Sequence, residues 1–157
     1  MFEMNSAEGG APKPNSSRGP RGSFAALGIS AHREDLERLR EIFSRMNWTL
    51  REARSRHEAG IVLCSHRMPV IICDRHLPDG HWTDIMSLVA PLVEPPWVIV
   101  MSDEVDRCST SEVINMGGYG ILRKPLNETE AIQVLVAAHR SWQIIWRGGG
   151  ICEASAA

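Results

Sequence analysis

The sequence contains no apolar run long enough to span a bilayer, and its first residues lack the apolar core of a signal peptide. It contains no CxxC pair. Its four cysteines, Cys64, Cys73, Cys108 and Cys152, stand far apart, which argues against a zinc site and gives no disulfide framework. Reduced thiols and a cytoplasmic protein are the expectation. There is no excess of basic charge: 17 Lys and Arg stand against 19 Asp and Glu, for a formal net charge of -2. A nucleic-acid footprint is basic and clustered, so neither nucleic acid nor membrane is an expected partner. The GxSxG elbow of α/β hydrolases is absent. The stretch Ile29–Arg33 has no glycine, so it offers no glycine-rich cradle for a dinucleotide or flavin. No internal repeat is visible.

What remains is an ordinary globular composition, 43% hydrophobic and 23% charged over 157 residues, enough for one domain with a core. Residues 1–22 are rich in Gly, Pro and Ser and have almost nothing to bury, so they read as a disordered tail. The folded domain is expected over 23–143 and a loose C-terminal tail over 144–157, broken early by Gly148-Gly149-Gly150.

Within the domain, apolar strands and helical stripes alternate. Strands are expected at Phe24–Ile29, Trp48–Ala53, Val70–Cys73, Trp97–Met101 and Tyr119–Leu122. Helices are expected at Arg33–Met46, Ser55–His66, Trp82–Ala90, Val105–Met116 and Glu128–Trp142. Leu36, Leu39, Ile42, Phe43 and Met46 make the stripe of the first helix. Pro91, Pro95 and Pro96 end the third, Gly117-Gly118 ends the fourth, and Asn127 caps the fifth. Five βα repeats imply a single α/β domain: a doubly wound parallel sheet covered on both faces.

Val70–Cys73 is continuous and β-branched, as in a strand buried on both sides, and it stops at Asp74 before the turn Leu77-Pro78-Asp79-Gly80. In a parallel sheet all strand C-termini share one edge. Ser30, Asp74, Ser102 and Lys124 should therefore meet, although they are far apart in sequence. A carboxylate, a hydroxyl and an ammonium in one crevice suit phosphoryl chemistry. The carboxylate can accept the group, and the other two can hold its oxygens.

Over roughly Phe24–Trp142 the chain resembles a response-regulator receiver domain of two-component signalling. The marks are the buried strand into Asp74, the Leu77-Pro78-Asp79-Gly80 turn, the strand ending at Ser102, and Gly117-Gly118 through Lys124-Pro125. The resemblance implies the flavodoxin-like strand order 2-1-3-4-5. It implies Asp74 as phospho-acceptor, Ser102 as switch hydroxyl and Lys124 as the phosphoryl-binding lysine. It also implies a histidine kinase or phosphotransfer protein as donor, a downstream protein partner, and a homodimer through the last two helices and the fifth strand. The expected function is that of a stand-alone receiver in a phosphorelay rather than an enzyme.

The sequence departs from the family's pattern at the end of the first strand. The usual acidic pair, which helps hold Mg2+, is replaced by Ser30 and Ala31, followed by His32. Asp74 is then the main acid for a weak Mg2+ site, with Asp103, Glu34 or Asp35 as helpers. Glu34 and Asp35 also fit a plainer role in the first turn of a helix. Asp103 follows Ser102 where a small residue is usual. The aromatic usual three residues before the lysine is Ile121 here, with Tyr119 nearby. These departures support an alternative: a pseudo-receiver that binds proteins independently of phosphorylation. His32, His76 and His81 could gather at the crevice as a transition-metal site, although loop histidines facing water are commoner. Trp82, Trp97, Trp142 and Trp146 read as packing residues, with Trp142 and Trp146 spaced to share a helix face.

Overall fold

The computed structural model describes residues 24–103 and 109–147. The expected N-terminal tail, the first part of the fourth helix (Val105–Cys108) and residues 148–157 lie outside the described residues.

Five strands form one parallel sheet: β1 (Ala25–Ile29), β2 (Thr49–Ala53), β3 (Val70–Asp74), β6 (Trp97–Ser102) and β7 (Gly120–Arg123). Two short strands, β4 (His76–Leu77) and β5 (Gly80–His81), pair antiparallel across Pro78-Asp79. The sequence announced that turn but not the hairpin around it. The sheet order is β2-β1-β3-β6-β7, which in terms of the five main strands is 2-1-3-4-5, as the resemblance implied. The register runs Ile29 opposite Cys73, Asp74 opposite Met101 and Ser102 opposite Arg123, so the C-terminal ends line up along one edge.

The helices are α1 (Arg33–Arg45), α2 (Arg56–Ser65), α3 (Trp82–Val89), α4 (Thr110–Asn115) and α5 (Glu128–Trp142). Alternate residues of the central strand feed opposite faces, because side chains along a strand alternate with period two. Ile71 and Cys73 pack with Ala59 of α2, Trp82 and Ile85 of α3, and Val113 of α4. Val70 and Ile72 pack with Leu39, Ile42 and Phe43 of α1 and with Ala131 and Leu135 of α5. This explains why β3 reads as an unbroken apolar run: both of its faces are covered. On α2 only Ala59 is fully buried; Val62 and Leu63, expected inward, are half-buried at the edge of the core.

Side-chain caps, among them the Asn127 cap that the sequence suggested, fix several helix ends. Ser55, Ser109 and Asn127 cap α2, α4 and α5 by accepting backbone N–H bonds from Glu58, Glu112 and Glu130. At the end of α4 the N–H of Gly117 bonds to the Ile114 carbonyl at 3.0 Å and that of Gly118 to the Val113 carbonyl at 2.8 Å. Gly117 has φ +98°, the left-handed conformation that this C-cap requires. α5 continues as a π-helical turn over Gln143–Arg147, and the Trp142 indole N–H donates to the Pro95 carbonyl at 3.2 Å. No helix among the described residues is long and apolar enough to cross a membrane.

Candidate functional site: the crevice at Asp74

Among the described residues, three polar or charged residues are buried: Ser30, Asp74 and Ser102. All three stand at the C-terminal edge of the sheet. Burying a polar group is costly unless it is hydrogen-bonded, so their partners define the site. Ser30 Oγ donates to Asp74 Oδ2 at 3.0 Å and accepts the backbone N–H of His32 at 3.0 Å. Lys124 Nζ donates to Asp74 Oδ1 at 2.7 Å. Each carboxylate oxygen of Asp74 therefore has its own donor. Ser102 Oγ donates to the Asp103 carbonyl at 3.1 Å. The backbone carries the frame: Lys124 N–H bonds to the Ser102 carbonyl at 3.0 Å, and Arg75 N–H bonds to the Met101 carbonyl at 3.1 Å. The Lys124–Pro125 peptide is cis.

The second partner of Lys124 is Asp35, whose Oδ2 lies 2.8 Å from Nζ. This residue sits in the first turn of α1, as expected for an acid at a helix N-terminus, yet its carboxylate also reaches the crevice. Glu34, its neighbour, is exposed, and so is Asp103. Of the three suggested helpers, Asp35 is the one that shares a partner with Asp74. Burial works to lower the Lys124 pKa, but hydrogen bonds and charge from Asp35 and Asp74 outweigh it, and the net shift is upward. The ammonium is thus held charged. Burial also pushes the Cys73 thiol far up, with the Asp74 charge adding to it, so this thiol is an inert core group.

The three histidines occupy two places. His32 Nε2 lies 3.7 Å from Asp74 Oδ2, with a mostly exposed side chain. His76 and His81 face each other across the hairpin, ring centroids 5.1 Å apart. Among the described residues, no three His, Cys, Asp or Glu side chains are grouped as a metal site needs. Asp79, read as a simple turn residue, also anchors the start of α2. Its carboxylate accepts the backbone N–H groups of Arg56 at 2.7 Å and His57 at 3.0 Å. Tyr119 packs on Trp97 with ring centroids 5.2 Å apart, and Ile121 is half-buried.

Two features escaped the sequence. One is the Ser30–Asp74 bond: Ser30 was placed at the edge, but only the β1–β3 pairing makes it a donor to that carboxylate. The other is the Asp35–Lys124 pair, for which spacing within α1 gave no signal.

A five-stranded parallel sheet in the order 2-1-3-4-5, with an acid at the end of its central strand and a lysine at the end of its last, defines a flavodoxin-like α/β protein of the receiver type. The response regulator receiver domain family matches over residues 29–136, and the chain belongs to it. No curated protein matches. Solved structures of receivers superpose well. The signal receiver domain of an HD domain-containing protein from Pseudomonas fluorescens Pf-5 is 23% identical at a TM-score of 0.69, covering 76% of this chain and 89% of that one. The chemotaxis response regulator CheY4 of Vibrio cholerae is 17% identical at a TM-score of 0.65, covering 74% and 98%. The beryllofluoride-activated NtrC4 receiver domain, a dimer in solution, is 20% identical at a TM-score of 0.67, covering 75% and 98%. At these identities the likeness is one of fold.

The family implies Mg2+, but the donors present here do not suit it. Mg2+ wants an octahedral set of oxygens, supplied by carboxylates, carbonyls and waters. The first-strand positions for two acids hold Ser30 and Ala31. Of the acids that remain in the crevice, Asp74 is hydrogen-bonded at both oxygens and Asp35 is paired with the same ammonium.

Proposed function

We propose that this chain is a signalling receiver that accepts a phosphoryl group on Asp74 from a phosphorylated histidine of a kinase or phosphotransfer protein. The observation that carries the reading is the 2.7 Å contact of Lys124 Nζ with the buried Asp74, at the one edge where Ser102 also ends its strand. In the proposed step a carboxylate oxygen of Asp74 attacks phosphorus, the P–N bond breaks, and its electron pair stays on the imidazole nitrogen. The Lys124 ammonium then bonds the new phosphoryl oxygens, and rotation of the Ser102 hydroxyl away from the Asp103 carbonyl adds a second donor. A charge change at the ends of β6 and β7 is passed to the neighbouring surface, where Ile114 of α4 and Met116 just after it are exposed. A downstream partner, or a second copy as in the NtrC4 receiver dimer, would dock there.

A second reading is a protein-binding module that works without phosphorylation. It is favoured by Ser30, which stands where an acid is usual and ties up Asp74 Oδ2. Intact mass after incubation with phosphoramidate separates the two. The receiver reading expects a gain of one phosphoryl group in the wild type and none in Asp74→Asn. No gain in the wild type, with the protein folded, leaves the binding module.

A further inference from the structure

Lys124 joins two acids that come from different parts of the chain. Asp74 ends β3, and Asp35 stands in the first turn of α1. Nζ lies 2.7 Å from an oxygen of the first and 2.8 Å from an oxygen of the second. Two carboxylates with a single positive charge between them is the arrangement that a divalent cation would otherwise create. The side chains are enclosed: Asp74 is 6% exposed, and Asp35 and Lys124 are each 15% exposed. Water therefore screens the three charges poorly. The remaining oxygen of Asp74 is taken by the Ser30 hydroxyl, which is itself oriented by the His32 N–H.

We infer that this receiver carries its counter-charge within the chain: the Lys124 ammonium, clamped between Asp35 and Asp74, occupies the place of a bridging divalent cation, and Ser30 is the positioning residue that holds the second oxygen of Asp74. The inference deepens the proposed phosphoryl site, but it concerns cation binding, which is read separately from phosphorylation. Two consequences follow from the charges. The wild type has no saturable Mg2+ site, because a divalent ion must displace an ammonium that both acids already hold. Removing the ammonium leaves two facing carboxylates, with the contacted oxygens no further apart than the sum of the two contacts, and so creates a site for an ion.

The test uses the full chain and Mn2+ as a paramagnetic stand-in for Mg2+, with backbone amide NMR. The wild type should show no saturable broadening around Asp74 and Asp35. Lys124→Ala should gain it, at least tenfold tighter than any wild-type binding, and Lys124→Ala with Asp35→Asn should lose it again. Lys124→Arg should stay free of the ion, since the charge is kept. A purely structural role for Lys124 would not move this readout. Thermal unfolding of the wild type in MgCl2, against NaCl of equal ionic strength, gives a measurement independent of any variant. A bound ion raises the midpoint in a saturable way, and no such rise is expected. A saturable rise in the wild type that Asp74→Asn abolishes overturns the inference. So does a folded Lys124→Ala that gains no ion. Phosphorylation of Asp74 by phosphoramidate at equal rates with and without Mg2+ is the companion result. A wild type that neither binds the ion nor takes the phosphoryl group leaves the inference standing and removes the phosphoryl-transfer reading.

Discussion

Lys124 and Asp35 lie far apart in the chain and 2.8 Å apart in space, with the same ammonium 2.7 Å from Asp74. One cation thus ties α1, β3 and the end of β7 together at the C-terminal edge of the sheet. Replacing Lys124 with Ala leaves two poorly solvated carboxylates without their partner. The expected loss of stability at neutral pH is about 2 kcal/mol, below the figure for fully buried pairs. The Lys124 pKa is raised in the folded state, so its contribution is fully present below the ordinary value of 10.5 and is lost as pH rises through the higher folded value. Urea unfolding should show the wild type ahead of Lys124→Ala at neutral pH and converging with it in strong alkali. Parallel curves at all pH values would refute the pairing.

Asp79 should behave in the opposite sense. Backbone N–H bonds, that of Arg56 first, outweigh burial and hold its carboxyl below the ordinary 3.8. A depressed acid stabilises above its unfolded pKa, and that stability is lost as pH falls through the folded value. Asp79→Ala should lower the thermal midpoint at neutral pH, and the gap from wild type should close in acid. A gap that persists below the folded pKa would mean that the charge of Asp79 is not what holds the start of α2.

His81 gives the chain a pH dependence close to neutrality. Its Nδ1 accepts the Thr83 N–H at 3.4 Å, which only the neutral ring can do, while Asp84 accepts the His81 N–H at 2.8 Å. Burial, then His76 and Arg75, hold the imidazole below 6.5, against the pull of Asp84 and Glu112. The stabilisation is therefore complete above 6.5 and is lost as pH falls through the folded value. Histidine NMR titration should place His81 below the ordinary imidazole value of 6.5. An equal or higher value would contradict the cap.

Gly118 is required by space rather than by its backbone angle. A Cβ built there would meet Val113 Cγ1 at 2.6 Å and the carbonyls of Val113 and Val98 at 3.2 and 3.3 Å. Val113 is fully buried and cannot move aside freely. Gly118→Ala should cost about 1–3 kcal/mol, the range for overpacking a tight core. Chemical denaturation measures it, and a cost within error of zero would show that α4 shifts to accept the methyl.

The sequence by itself determined the class of fold and the residues that meet at the C-terminal edge of its sheet. Val70–Cys73 could be read as a strand covered on both faces because its apolar run has no polar alternation, and β3 is buried throughout. Asp74, Ser102 and Lys124 were legible because each directly follows or ends an apolar strand, and parallel strands place such ends together. The Asn127 cap and the Gly117-Gly118 stop were local signals, and local geometry bears them out. Only the tertiary structure decided who pairs with whom. Asp35 looked like a helix-start acid because spacing in α1 reports the helix face and not what lies beyond it. Its reach to Lys124 depends on how α1 lies beside the segment after β7, where Arg38 Nε also donates to the Leu126 carbonyl. Ser30 looked like a replacement for an acid, and the β1–β3 register makes it a donor to Asp74. A sequence records which side chains stand at an edge; the charge balance among them depends on distances of about 3 Å, which only packing sets.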